Sequence, residues 1–420
     1  MSETRVKCLN RGCENTILPA TAKRTGGLCG PCQGKLLTIQ RDEYIRQNRK
    51  TVDLYAGMTD PAAILRVAHQ QRPYDQLVHY LPTPQSIETL YGSLTISQAK
   101  SLMAFATQSL YNGQTHLAEA VARHLAAFTA FNLDQMLKPW LALNRFWPAI
   151  AFRSAGDEIR DDVLSRLRSQ DVNANHALQA VAWIGGDSVI EAYQAFDSTP
   201  PSWAKALHIH PSDYARTAAW EVVGGRRREL SLKPCFSLVP ATLETACTGV
   251  SLFKEKRECC PWCASALVNL LVIDATVAPL SQLGLPGNSI EVTTCFKCTC
   301  FGTIFGELDA EGHGHLASEN VGPSLIPEEW EASPWAGIPV RLAERSAIRA
   351  AEVFLPIEYT QIGGLPGWVQ DLGYPKCHKC SKTMIFIAQV DNGQFRGHEG
   401  MYYAFLCGDC RTTATTYQQT

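Results

Sequence analysis

Cys260-Pro261-Trp262-Cys263 and Cys377-His378-Lys379-Cys380 open two copies of one pattern, and that pattern decides how the carboxy-terminal half is read. Each leads into an apolar run, Ala266 to Ile273 or Met384 to Val390. Each run ends on an aspartate, Asp274 or Asp391, eleven residues past the second cysteine in both copies. The chain then returns to a second Cys-x-x-Cys, Cys295-Phe296-Lys297-Cys298 or Cys407-Gly408-Asp409-Cys410. An aromatic, Phe305 or Tyr417, follows seven residues after the fourth cysteine. The shared spacing reads as an internal duplication of a strand hairpin.

The chemistry that asks for this spacing is tetrahedral metal coordination. A two-residue gap lets the chain reverse so that two thiolates face one ion, and a second pair closes the shell with no position left for water. Such a closed zinc site contributes an apparent free energy on the order of 10–16 kcal/mol, enough to hold a hairpin with little core of its own. We therefore assign Cys260, Cys263, Cys295 and Cys298 to one site and Cys377, Cys380, Cys407 and Cys410 to another. The spacing is equally satisfied if the two copies exchange knuckles. Cys259 and Cys300 flank the ligands and offer a shifted register; Cys260 is preferred because Cys-Pro-x-Cys suits a knuckle turn.

A third set stands at the amino terminus: Cys8, Cys13, Cys29 and Cys32, with Gly12 and Gly26-Gly27 at the turns. Cys29-Gly30-Pro31-Cys32 is also the tetrapeptide of dithiol redox sites, which normally follows a buried strand and opens a helix. Here Gly-Gly-Leu precedes it and a second cysteine pair stands upstream at metal spacing, so we read a zinc module. Three structural zinc ions are expected in all.

Length and composition frame the remainder. A chain of 420 residues with 45% hydrophobic content has room for two or three domains with real cores. Its sixteen cysteines are thus not needed as disulfide staples, and Met1-Ser2-Glu3-Thr4-Arg5 begins no apolar signal. No apolar run approaches the roughly 18 residues of a membrane span. A soluble protein of the reducing cytoplasm is expected. The net charge of −2 hides a division: residues 1–50 carry ten basic against four acidic side chains, residues 258–376 five against fourteen. Both runs read first as solvated faces; the sharper reading is a basic amino-terminal patch and an acidic surface around Glu307 to Glu331 that meets a basic partner.

Between these segments the pattern is helical. Leu36, Leu37, Ile39, Tyr44 and Ile45 mark a first helix from Lys35, and Asp60-Pro61 reads as a cap with proline at the first helical position. Helices follow at about 84–91, 95–111, 114–130, 133–143, 157–169, 174–184, 187–197 and 211–223, broken by Asn112-Gly113, Gly156-Asp157, Gly185-Gly186-Asp187 and Thr199-Pro200-Pro201. Gly224-Gly225-Arg226-Arg227-Arg228 reads as a solvated junction, Ala343 to Phe354 as a short helix, and His313-Gly314-His315 as an exposed loop. Trp140, Trp147, Trp183, Trp203 and Trp220 read as packing residues. The expected architecture is α+β and multidomain. It comprises a zinc module (1–35), an all-helical block (36–225) and a duplicated β-rich, zinc-ribbon-containing domain (235–420, halves about 235–310 and 355–420).

Four resemblances add to this reading. Val163-Leu164-Ser165-Arg166-Leu167, Ala177 to Gly185 and Val189 to Tyr193 resemble helical repeats of the HEAT type, which stack to expose a long partner surface. Gly364, Pro366, Trp368 and Gln370, approaching Cys377 and the strand ending at Asp391, are similar to the bacterial YwqG-like family. The duplicated layout over 235–420 resembles the programmed cell death protein 2 family. That resemblance implies a β-rich domain without established catalysis and, in its eukaryotic branch, an escort for a ribosomal protein. Cys13, Ile17 to Ala22 and Gly26-Gly27-Leu28-Cys29 resemble a small zinc module heading bacterial proteins in toxin and immunity neighbourhoods.

No Gly-rich phosphate loop, His-Glu-x-x-His or Gly-x-Ser-x-Gly elbow occurs in the sequence, and closed tetrathiolate shells leave the metal nothing to activate. We expect no catalytic and no cofactor-binding residues other than the metal ligands. The expected function is a non-catalytic protein that binds one protein partner, a toxin domain encoded nearby, as an immunity protein. The alternatives are a chaperone or assembly factor for a basic ribosomal protein, and RNA binding through Lys23, Arg24 and Lys35 of the basic module.

Overall fold

The computed structural model describes residues 4–169, 172–324, 336–351, 360–397 and 399–419. The chain divides into two compact units, Met1–Leu90 and Tyr91–Thr420.

In the first unit β1 (Val6–Lys7) and β2 (Thr16–Ile17) form an antiparallel ribbon, followed by α1 (Pro19–Thr25) and α2 (Gly30–Asn48). Gly26 and Gly27 both take positive φ, 62° and 85°, and turn the chain from α1 back to the knuckle. Cys29 stands at the N-cap of α2 with Pro31 in its first turn, so the helix grows directly from the second knuckle. The expected boundary at residue 35 therefore falls inside one continuous helix. α3 (Pro61–Ala68) is capped as expected: the Asp60 carboxylate accepts from the N–H groups of Ala62 and Ala63. β3 (Lys50–Val52) and β4 (Val78–Tyr80) pair in parallel, so the segment 36–225 is not wholly helical.

The division falls inside α4 (Ile87–Gly92), and the second unit goes on as a helical series: α5 (Ile96–Tyr111), α6 (Thr115–Phe128), α7 (Asp134–Ala142), α8 (Asp157–Ser169), α9 (Ala174–Ile184) and α10 (Asp187–Ser198). α5 is opened by a capping box between Thr95 and Gln98. The apolar stripes of α6 and α9, including Leu117, Val121, Leu125, Leu178 and Val181, are buried. Tyr193 and Trp220 are fully buried, each donating to a carbonyl of α9, Leu178 and Ala182.

The helix expected over 211–223 is a 3-10 segment, Pro211–Ala218, that stops where Ala219 enters the left-handed region at φ 57°. The chain then forms a hairpin of β5 (Trp220–Val223) and β6 (Arg226–Glu229), turning at Gly224 and Gly225. The expected solvated junction is thus a structured ribbon. Arg228 reaches from β6 to Glu221 on β5 and to the carbonyl of Thr383, tying this hairpin to the β-rich half within one compact unit.

The β-rich half holds β7 (Cys235–Pro240), β8 (Val250–Cys259), β9 (Ala266–Asp274), β10 (Ser289–Thr294), β11 (Ile304–Leu308), β12 (Gly314–Leu316), β13 (Ala336–Ile338), β14 (Val340–Glu344), β15 (Gln361–Gly363), β16 (Ile385–Asp391), β17 (Met401–Cys407) and β18 (Thr412–Gln418). A four-stranded sheet runs β10-β9-β8-β13 and an eight-stranded sheet β12-β11-β18-β17-β16-β15-β7-β14. One core joins them, with Leu252, Phe253 and Leu271 from the first and Phe236, Ile387 and Tyr402 from the second. Residues 340–344, expected to begin a helix at Ala343, pair as β14 with β7 because Val340 and Leu342 supply an apolar edge there. A short 3-10 turn follows at Arg349–Ala351, and 352–354 lie outside the described residues.

Each copy of the duplicated pattern folds as knuckle, strand, turn, return strand, knuckle, strand. The first copy's hairpin β9–β10 lies in the smaller sheet and the second's β16–β17 in the larger. The equivalent third strands, β11 and β18, pair with each other antiparallel and fuse the copies. The repeated aspartates end equivalent strands by the same device. Asp274 accepts from the N–H and hydroxyl of Thr276, and Asp391 from the N–H of Gly393.

Candidate metal centres

Three four-cysteine clusters assemble, each within one segment: Cys8, Cys13, Cys29, Cys32; Cys260, Cys263, Cys295, Cys298; and Cys377, Cys380, Cys407, Cys410. Knuckles pair within a copy, not across the duplication. Cys259 is exposed, and Cys300 turns its thiol to the carbonyl of Phe296, so neither replaces a neighbour. Sulfurs lie 3.7 Å apart for Cys13 and Cys29, 3.6 Å for Cys260 and Cys298, 3.4 Å for Cys263 and Cys295, and 3.7 Å for Cys380 and Cys407. Four thiolates at about 2.3 Å from a tetrahedral zinc stand about 3.8 Å apart, so the donor sets fit such an ion.

The knuckles are built by backbone geometry. After Cys263, Ala264 takes φ 57° and donates to the Cys260 carbonyl at 3.0 Å; after Cys380, Ser381 takes φ 59° and donates to the Cys377 carbonyl at 2.8 Å. Arg411, after Cys410, takes φ 53°. The fourth knuckle differs: Cys295 caps the short α11 (Phe296–Thr299), with the Thr299 N–H on the Cys295 carbonyl. In the amino-terminal cluster the Cys29 N–H donates to Cys8 Sγ, while the amides of Asn10 and Asn15 donate to Cys32 and Cys29. The Asn15 amide favours the Cys29 thiolate, while at Cys32 the Asn10 amide is outweighed by the neighbouring cysteines and burial.

The thiols of each cluster separate in acidity. Cys29 is pulled down to about 6, first by the Asn15 amide. Cys260 is pulled down to about 5, first by Cys295. Cys377 falls to about 7: burial opposes the shift, but the N–H groups of Cys380 and Lys379 and the thiols of Cys407 and Cys380 together outweigh it. Burial first pushes Cys298 and Cys407 up to about 12, and a neighbouring cysteine, Cys260 or Cys380, adds to it. One thiolate forms readily and opposes the next; a divalent cation at the centre removes that opposition.

Cys29-Gly30-Pro31-Cys32 does open a helix, as a redox dithiol would, yet both its sulfurs are drawn into a cluster with Cys8 and Cys13. His313 and His315 are both exposed; His315 lies on β12 rather than in a loop, and neither joins a cluster among the described residues.

Two arrangements escaped the sequence reading. Glu307, Glu319 and His378 gather their ligand atoms within 4.8 Å of one another. The three residues come from different elements of both copies, so no local spacing announces them. The second arrangement is a cavity of about 330 Å³ whose walls include Trp147 and Trp183 with Pro366, Trp368 and Gln370. Trp368 is held by stacking on Tyr403, and the preceding Gly363 and Gly364 are required by contact: a Cβ would stand 1.9 Å from the Pro234 carbonyl or 2.7 Å from Cys235 Sγ. Trp140 and Trp220 are buried packing residues as expected.

Among the described residues no helix is long and apolar enough to cross a membrane. No family model and no solved structure matches the chain. It is 37% identical over 430 residues to the "Uncharacterized protein YpfL" of Salmonella typhimurium, with the whole of both chains covered, and it belongs to the same family.

Proposed function

We propose that this YpfL-family chain is a non-catalytic, cytoplasmic interaction protein, held in shape by three structural zinc ions, that binds and neutralises the toxin domain of a neighbouring gene. The observation that carries the interaction reading is α2. This helix of 19 residues buries none of its side chains, and Leu36, Leu37, Ile39 and Tyr44 are all exposed on it. Leu9 of the zinc module is 75% exposed as well. Helices in proteins draw most of their stability from packing an apolar face, and large apolar side chains left exposed on this one suit a partner's surface. The acidic side chains of Glu307, Asp309, Glu311 and Glu319 favour a basic partner, as nuclease-like toxins are; 325–331 of the expected acidic segment lie outside the described residues.

The test is capture of the tagged chain from its own cells, with metal counted on the same sample. One stoichiometric partner encoded nearby, with at least three zinc ions per chain, supports the proposal. A ribosomal protein in its place moves the reading to an escort that shares the duplicated layout with the programmed cell death protein 2 family. Nucleic acid alone, lost steeply with salt and on changing Lys23, Arg24 or Lys35, transfers it to RNA binding.

A further inference from the structure

We infer that Glu307, Glu319 and His378 form a fourth divalent-cation site, of the zinc class, with three protein ligands and one open coordination position. The inference stands apart from the identity of any protein partner.

The first argument is distance. His378 Nε2 lies 3.7 Å from Glu307 Oε1 and 3.6 Å from Glu319 Oε2. Both separations exceed a hydrogen bond, and neither imidazole nitrogen has a hydrogen-bond partner. Ligands at about 2.1 Å from a tetrahedral zinc stand about 3.4 Å apart, near the spacing seen. The second is burial. The His378 side chain is only 14% exposed, so nitrogens without partners carry a desolvation cost that ligation of one of them offsets.

The third argument is rigidity. Glu307 sits on β11, registered against Thr412 of β18. Glu319 precedes Asn320, whose side chain accepts from the N–H of Phe305 and donates to the carbonyls of Phe305 and Ala317. His378 lies inside the Cys377–Cys380 knuckle, and its ring meets Phe305 edge-on at 5.0 Å. The ligands are thus brought together before any ion arrives, and they span both copies of the duplication.

The fourth is charge. A metal-filled tetrathiolate carries two negative charges, and two carboxylates lie beside it. Two ammonium groups stand near: Lys382, which pairs with Asp409 at 2.7 Å, and Lys379, whose Nζ is 2.7 Å from Glu307 Oε1. That ammonium competes with an ion at the same oxygen, but its stem is 38% exposed and free to swing aside. An imidazole with two carboxylates suits zinc above the earlier first-row divalent ions. Water, or a carboxylate or imidazole of another molecule, completes the shell.

The experiment is calorimetric titration of zinc into the full chain already holding its three tetrathiolate ions, with metal counted before and after. One further ion per chain is expected. Glu319→Gln, an exposed change away from every cysteine ligand, should abolish that ion and leave the first three. Lys379→Met should tighten it several-fold by removing the competing ammonium. Absence of a fourth ion in the parent chain overturns the inference, as does a fourth ion unaffected by Glu319→Gln, or unaffected or weakened by Lys379→Met. Fewer than three ions before titration would instead count against the tetrathiolate sites, so the two failures are separable.

Discussion

The hydroxyl of Thr383 donates to Glu221 Oε2 at 2.7 Å, joining residues 162 positions apart. Arg228 closes the triangle, donating to the same carboxylate and to the Thr383 carbonyl. Thr383 lies between the Cys377–Cys380 knuckle and β16, so this triangle ties the hairpin β5–β6 to the third cysteine cluster. Glu221 is itself buried. Burial raises its pKa, but Thr383, Arg228 and Arg216 together hold that pKa below the ordinary carboxylate range. A depressed folded value contributes stability that is complete above the unfolded value, about pH 4.3, and is lost as the pH falls through the lower folded value. Glu221→Ala should therefore cost about 1.5–3 kcal/mol at neutral pH and flatten the acid limb of the stability profile. Urea unfolding from neutral pH to below pH 4 measures both effects.

The four sulfurs of each cluster form the centre of a small core: Cys260, Cys295 and Cys298 with Leu267 and Ile304 in one, and Cys8 and Cys29 with Ile17 in another. A zinc site contributes about 10–16 kcal/mol, more than the whole stability of many domains, about 5–15 kcal/mol. Cys295→Ser should lose one zinc and destabilise the β-rich half as a whole, whose two sheets share one core, read as one fewer metal ion and a lowered thermal midpoint. Cys259→Ser and Cys300→Ser should retain all three ions.

The cysteine quartets were legible in the sequence because metal coordination is set by local spacing, and the helices 95–111 through 187–197 because their apolar period and caps are local too. The misread stretches are those whose partner is distant. Val340 to Glu344 is a strand because β7, a hundred residues earlier, offers it an edge. The triplet Arg226-Arg227-Arg228 reads as solvated until Glu221 and Thr383 are placed around Arg228. The Glu307, Glu319 and His378 cluster is invisible for the same reason: the pairing of β11 with β18 creates it. Sheet registry of this kind is tertiary information.

Ala264, Ser381 and Arg411 hold a left-handed backbone that glycine adopts without strain. Ala264 has no side-chain hydrogen bond to lose. Ala264→Gly should stabilise the knuckle, by up to about 1 kcal/mol, since the relief of about 1–2 kcal/mol is partly offset by the entropy glycine gains in the unfolded chain. Ala264→Val, which adds branching at the same φ, should destabilise it. The check is the chelator concentration needed to strip this zinc from each variant; equal resistance in all three would show that the turn is not under strain.

Leu36, Leu37 and Ile39 stand 43%, 55% and 65% exposed on α2. Because none of them is buried, the triple change to serine leaves no cavity in a core, and surface substitutions of this kind usually stay within about 0.5 kcal/mol each. The amino-terminal zinc cluster lies before these residues and should keep its ion. If α2 is the partner-binding element, the triple variant should retain its metal content and its unfolding midpoint yet lose the captured partner, with affinity reduced at least tenfold. A fall of that size requires only about 1.4 kcal/mol, which burial of a single leucine can supply at about 25 cal/mol per Å². Retained capture would remove α2 from the interface and leave the acidic surface around Glu307 and Glu319 to carry binding. In that case Glu311→Lys together with Glu319→Lys, and not the leucine changes, should abolish it.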